Sequence, residues 1–167
     1  MSGSRETVRR LLPRLPWNVV VYDGRCYWCN AKAHWLHEHN FLHDAHEARL
    51  FYAQRQSPEA RFLHQHFPEL RNVDSLVLFE KLPEAEQARH VTGVRVSTKS
   101  EAVLRILTKC ENVGMSFAAR AALALLPRTP MDWYFDWFWR RREQRFGLAQ
   151  EPLDLTPELK ARRWKLR

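Results

Sequence analysis

The sequence predicts an α/β domain with the element order β-α-β-α-β-β-α, extended towards the C-terminus by further helices. Three observations carry this. Short apolar runs alternate with stretches at helical spacing, cap residues and prolines mark the junctions, and two cysteines three apart fall where the first strand gives way to the first helix. With 167 residues, 45% of them hydrophobic and 12% aromatic, the chain is long enough to bury a core and too apolar for general disorder.

The elements follow in order. Val19-Val20-Val21-Tyr22 reads as the first strand, and Asn30 to Asn40 as helix. A His-studded link, His39 to His46, leads to a second strand over Ala48 to Ala53. Ser57-Pro58-Glu59 opens a helix with a cap residue, a proline at the first helical position and an acid in the first turn. Pro68 stops that helix near Phe67. Ser75 to Phe79 reads as the third strand, Lys81 to Ala88 as a hairpin loop, and His90 to Val96 as the fourth strand. Thr98-Lys99-Ser100-Glu101 has the form of a capping box, and Val103, Ile106, Leu107 and Cys110 then recur at helical spacing. In so short a span this order is the thioredoxin-like layout in its compact, glutaredoxin-style form. Beyond it, Ser116 to Leu126 reads as a helix ended by Pro127. Thr129-Pro130-Met131-Asp132 caps another that runs to Phe146 and stops at Gly147, and Thr156-Pro157-Glu158 starts a short terminal helix. The expected division is an N-terminal extension (1–15), a thioredoxin-like domain (16–111), a helical hairpin (112–147) and a basic tail (148–167).

The stretch Asp23-Gly24-Arg25-Cys26-Tyr27-Trp28-Cys29 concentrates the chemistry. The first N–H groups of a helix lack partners within it, and the peptide dipoles place partial positive charge there. A thiolate at that spot is stabilised, so Cys26 should titrate below the roughly 8.5 of a free cysteine, with Arg25 pushing the same way. Cys29, one turn further in, is placed to resolve a mixed disulfide formed on Cys26. Asp23 has two readings: its carboxylate shapes the turn by taking backbone N–H groups, or it accepts the proton of Cys29 as that thiol attacks. Zinc is the rival chemistry, since His34, His37, His39, His43 and His46 crowd the region after the cysteines. Their helical and loop spacings do not converge on a tetrahedral site, and no metal or other cofactor is expected. Cys110 continues an apolar stripe and reads as a buried, inert thiol.

Three cysteines are too few for a disulfide scaffold, so a reducing compartment is expected. No apolar run is long enough to span a bilayer, and no signal-peptide core precedes the first strand. The arginine-rich start, Arg5, Arg9, Arg10 and Arg14 against Glu6, fits either a bacterial extension, with a cytoplasmic location, or a mitochondrial presequence, with a matrix location. The net charge is +8, and Arg140 to Arg167 holds nine Lys or Arg against four acids. Such a region suits RNA or a phospholipid surface. The aromatics from Trp133 to Trp139 cover most of a helix circumference, more than one face can bury, so some are expected to meet a protein partner or a membrane interface.

With those elements in place, the chain resembles the DCC family of thiol–disulfide oxidoreductases, named for its Asp-x-x-Cys-x-x-Cys signature. The matching residues are Asp23, Cys26 and Cys29 in a strand-Asp-Gly-x-Cys-x-x-Cys-Asn setting. The strand entry Asp74 to Leu78, the helix Ser100 to Leu107, the Leu126-Pro127-Arg128 step and the Arg141 to Gly147 helix end match as well. The resemblance covers about Asn18 to Gly147. It implies a thioredoxin-like fold and thiol–disulfide exchange with a protein thiol or disulfide, with Cys26 attacking, Cys29 resolving and Asp23 assisting. Two departures accompany it. Members often carry another cysteine soon after the Arg-Phe-Gly step, where Leu148 to Pro152 has none. Thioredoxin-like oxidoreductases also place a cis-proline just before the third strand, where this chain has Val73-Asp74-Ser75. The alternative reading is a non-catalytic thioredoxin-like subunit of a larger assembly, such as an organellar (mitochondrial) ribonucleoprotein, docked through the aromatic helix and the basic tail.

Overall fold

Four five-residue runs rich in Val, Leu, Phe and Tyr pair into one sheet, the arrangement that β-branched and aromatic side chains favour. A computed structural model describes residues 13, 15–40, 46–70, 73–87 and 92–165. Among these, β1 (Asn18–Tyr22), β2 (Leu50–Gln54), β3 (Val77–Lys81) and β4 (Val94–Thr98) lie in the order β2-β1-β3-β4. β2 runs parallel to β1, with Val20 opposite Tyr52, while β3 is antiparallel to both β1 and β4. The parallel pair needs a crossover, which α1 (Tyr27–Glu38) supplies. α2 (Pro58–His66) links β2 to β3, and the link between β3 and β4 carries a short α3 (Glu84–Gln87) where a plain loop was expected. α4 (Lys99–Leu107), α5 (Val113–Leu125), α6 (Arg128–Phe146) and α7 (Pro157–Ala161) complete the molecule. This is the expected thioredoxin-like α/β fold with a helical C-terminal extension.

β1 is buried on both faces, and side-chain alternation sends its residues into two cores. Val19 and Val21 pack with Ala60 and Leu63 of α2 and with Val77 and Phe79. Val20 and Tyr22 face the opposite way, onto Cys26, Cys29 and Ala33, Ala102 and Ile106 of α4, and Trp139 of α6. The two cysteines therefore sit at one end of the second core.

Several boundaries differ from expectation for physical reasons. β2, β3 and β4 each start later than the apolar runs suggested; His90 and Val91, expected in the fourth strand, lie outside the described residues. The Thr98 capping box does not form. Lys99 takes a left-handed φ of 53°, its N–H goes to Ser75 Oγ (2.9 Å), and Asp132 of α6 caps α4 by accepting from the Ser100 N–H (3.3 Å) and its hydroxyl. α5 begins at Val113 instead of Ser116, because Asn112 Oδ1 accepts the Met115 N–H (2.9 Å). α6 begins at Arg128, ahead of the expected Thr129 start.

The C-terminal segment is packed onto the domain. After Gly147, whose φ is 84°, residues 148–155 run along the loop between β1 and α1. Leu155 and Leu159 enter the cysteine-side core and Trp164 the other. Tyr52 donates its N–H to Arg162 O (3.0 Å) and accepts from the Trp164 N–H (3.2 Å). The outer edge of β2 is thus covered, which removes a template for strand-to-strand aggregation.

Candidate active site

The loop from β1 to α1 is held by side-chain bonds before any chemistry is considered. Asp23 Oδ1 accepts the Arg25 N–H (3.0 Å) and Gln56 Nε2 (2.8 Å), while Gln56 Oε1 takes the Gly24 N–H (3.0 Å). Asn30, just after Cys29, donates from Nδ2 to the carbonyls of both Gly24 and Cys26, each at 2.8 Å. The turn-shaping role read for Asp23 is therefore seen directly.

Cys26 occupies the N-cap of α1, with φ −80° and ψ 120°, and its Sγ accepts the Cys29 N–H at 3.4 Å. A sulfur here takes the part that a Ser or Asp oxygen plays in ordinary caps. The Cys26 thiol is lowered to about 6, first by the hydrogen bond from the Cys29 thiol. Burial opposes this, the Cys29 backbone N–H and Arg142 reinforce it, and the charge of Asp23 works against it. Cys29 is pushed far in the other direction, by its bond to Cys26 and then by burial. One cysteine ionises readily and its neighbour keeps the proton.

The cation that acts on this pair is Arg142, not Arg25. Arg142 lies on α6 and is 2% exposed; its Nη2 reaches Asp23 Oδ2 and Glu143 Oε1, both at 3.2 Å, and its Nη1 donates to Trp139 O (2.8 Å). The guanidinium stacks over the Trp139 ring at 3.7 Å. In sequence, Arg142 reads only as one of the nine Lys and Arg of the basic region from Arg140 to Arg167. The signal that points inward is periodic: Phe135, Trp139 and Arg142 fall at i, i+4 and i+7 and share one helix face. Arg25 instead turns away, its Nε donating to Ala149 O (3.0 Å).

That contact belongs to a strap. Ala149 N–H donates to Arg25 O and Leu153 N–H to Gly24 O, both at 2.9 Å, and Leu148 bridges Cys26 in antiparallel fashion. Gln54 Nε2 secures Leu153 O at 2.7 Å. Beneath the strap Cys26 has 0% exposure and Cys29 5%. Behind Cys29 is an apolar cavity of about 120 Å³, walled by Tyr22, Trp28, Leu36, Ile106 and Trp139. Trp28 itself meets Phe138 edge-on at 4.9 Å. At the position just before β3, where thioredoxin-like oxidoreductases place a cis-proline, Ser75 Oγ receives the Lys99 N–H, and Asp74 Oδ1 stands 4.0 Å from Arg142 Nη2.

Among the described residues no group of three or more His, Cys, Asp or Glu side chains is placed to hold a metal ion. His34 Nδ1 meets Thr156 Oγ1 at 3.5 Å and His39 Nδ1 bonds Trp35 O at 2.8 Å; His43 and the side chain of His46 lie outside the described residues. Cys110 is buried, with its thiol raised to about 11 by burial and the Glu111 charge. No helix among the described residues is long and apolar enough to cross a membrane.

Comparison with protein-family models matches residues 20–148 to the DCC1-like thiol-disulfide oxidoreductase family. No curated protein and no solved structure matches the chain.

Proposed function

The chain belongs to the DCC1-like thiol-disulfide oxidoreductase family, and on that premise we propose that it exchanges thiols and disulfides through Cys26 and Cys29. The observation that carries the proposal is the placement of Cys26 at the N-cap of α1, its Sγ accepting the Cys29 N–H at 3.4 Å, with the Cys26 thiol lowered to about 6 and Cys29 raised in keeping with it. The Cys26 thiolate attacks one sulfur of a substrate disulfide. A Cys26–substrate bond forms, the substrate S–S bond breaks, and the other substrate sulfur leaves as thiolate. Cys26 has then lost its negative charge, which removes the largest influence that kept the proton on Cys29, its bond to the Cys26 sulfur. Cys29 releases that proton and attacks Cys26 Sγ, closing the Cys26–Cys29 disulfide and freeing the second substrate thiol. The pair gives up two electrons and the substrate gains them. Asp23, buried and with its charge felt at both sulfurs, is the group we assign to receive the Cys29 proton.

Because Cys26 has no exposed surface, a protein thiol or disulfide reaches it only when the 148–153 strap lifts. The test uses the purified full chain. Reduced protein should turn over a model disulfide, and Cys29→Ser should trap a mixed disulfide on Cys26. No turnover together with alkylation of Cys110 ahead of Cys26 would refute the proposal.

A second reading, the non-catalytic subunit of a larger assembly, is favoured by the complete burial of Cys26. In that case a Cys26→Ser, Cys29→Ser double variant leaves the native complex intact and the isolated chain turns over nothing.

A further inference from the structure

α5 is apolar nearly all round, yet Ala119 is its only buried residue, so most of a hydrophobic helix stands in the open. Val113, Phe117 and Leu125 are 72–81% exposed. Leu126, Trp133 and Tyr134, at and after the turn into α6, extend the same apolar character at 52–70% exposure. We propose that the α5–α6 turn region docks on an anionic phospholipid membrane, lying in its interface.

Charge selects this occupant. The only charged residue in α5 is Arg120, exposed near the middle of the helix, and no carboxylate occurs between Asn112 and Met131. A second copy crossing α5 antiparallel would bring two Arg120 guanidiniums together with no acid on either helix to receive them. A phosphate-bearing surface receives both Arg120 and Arg128, whose side chain remains 67% exposed beside its partner Glu101. Their aliphatic stems lie over the apolar layer while the guanidiniums reach the headgroups. Trp133 and Tyr134 carry the amphipathic rings that settle at headgroup level. A nucleic acid fits poorly, because Val113, Leu125 and Leu126 have no ring to stack on a base. The 13 residues of α5 are about 20 Å long, short of the roughly 30 Å hydrocarbon core, so the helix lies on the bilayer instead of crossing it. The surface also adjoins the proposed redox site. Leu126 and Tyr134 line an apolar cleft of about 680 Å³ that is also lined by Trp28, the residue just before Cys29.

The full chain should co-sediment with vesicles of equal parts phosphatidylcholine and phosphatidylglycerol, shift its tryptophan emission to the blue, and release as salt rises. Phosphatidylcholine vesicles should bind weakly. Arg120→Gln should weaken binding about fivefold, and Phe117→Ser combined with Leu125→Ser about a hundredfold. All three side chains are exposed or flank solvent, so the melting temperature should stay unchanged. Cys26→Ser should bind as well as the parent, so loss of the redox reading leaves this result standing. Equal binding to both vesicle types, or binding to neither, overturns the proposal. A salt-resistant dimer that Phe117→Ser with Leu125→Ser dissolves would assign the surface to a second copy and overturn it as well.

Discussion

At Cys26 three neighbours favour the thiolate, namely the Cys29 thiol, the Cys29 backbone N–H and Arg142, while burial and Asp23 oppose it. Alkylation of reduced protein over a pH series should therefore show a midpoint for Cys26 near about 6, well before Cys110 at about 11. Arg142→Met should raise the Cys26 midpoint, with Arg142→Lys between the two, since a lysine restores charge without the planar fork that grips Asp23. The same Met variant leaves Asp23 buried and unpaired, at a cost of about 3–5 kcal/mol in stability. Linkage gives a second expectation. Cys26 is lowered on folding, so its contribution is fully present above the unfolded value of about 8.5 and is lost as pH falls through about 6. Cys29 is raised, so its contribution is present below the unfolded value and is lost as pH rises beyond it. Melting temperatures of reduced protein, less those of the Cys26→Ser, Cys29→Ser double variant, should rise from about pH 6, peak near the unfolded value of about 8.5 and fall above it. A difference that is flat with pH would show that the pair titrates alike folded and unfolded.

Among the elements, the local start of α2 and the stop of α6 are legible from sequence, the local Asn112 cap of α5 is not, and the start of α4, set from a distance, is not. Ser57 caps α2 by accepting the Ala60 N–H at 3.2 Å, as Ser57-Pro58-Glu59 indicated, and Gly147 ends α6 as expected. The cap of α4 comes from Asp132, far along the chain, and a local capping box was read in its place. The site divides in the same way. Asp23, Cys26 and Cys29 share a few consecutive residues, whereas Arg142 is visible only as a position on the inward face of α6 until that helix is docked. The strap is not legible in sequence because every bond that holds it, from the backbone of Gly24 and Arg25 and from the side chains of Arg25 and Gln54, ends on its backbone groups, which no side-chain pattern within 148–153 records. Gly147 tests it. Its φ of 84° disfavours any side chain, and a Cβ there would come within 3.3 Å of the Tyr27 ring. Gly147→Ala should cost more than about 1 kcal/mol and, by loosening residues 148–153 over Cys26, should raise its alkylation rate at a fixed pH. A stable variant with unchanged reactivity would show that the strap does not control access.

Across the whole molecule, the C-terminal third does two opposite things, and stability separates them. Leu155, Leu159 and Trp164 are buried in the two cores, and residues 162–164 pair with the outer edge of β2. Trp133, at 70% exposure, touches little of the domain. Leu159→Ala should therefore cost about 2–5 kcal/mol, the range for emptying a closely packed leucine site. Trp133→Ala should change stability by less than about 0.5 kcal/mol, the ordinary effect at an exposed position. Ending the chain after Gly147 removes more than either. It strips the partners of the Tyr52 N–H and carbonyl, reopens the β2 edge, and uncovers Cys26 together with the apolar surface under Leu155 and Leu159. That shortened chain should lose cooperative melting and aggregate, as followed by calorimetry and light scattering, with the parent and Trp133→Ala as controls. A shortened chain that melts cooperatively near the parent temperature, with Cys26 more reactive, would instead make residues 148–165 an appendage to a domain already complete at Gly147. The sheet edge and the two tail-filled cores argue against that result, because each would then face water with its apolar side chains and backbone groups unpaired.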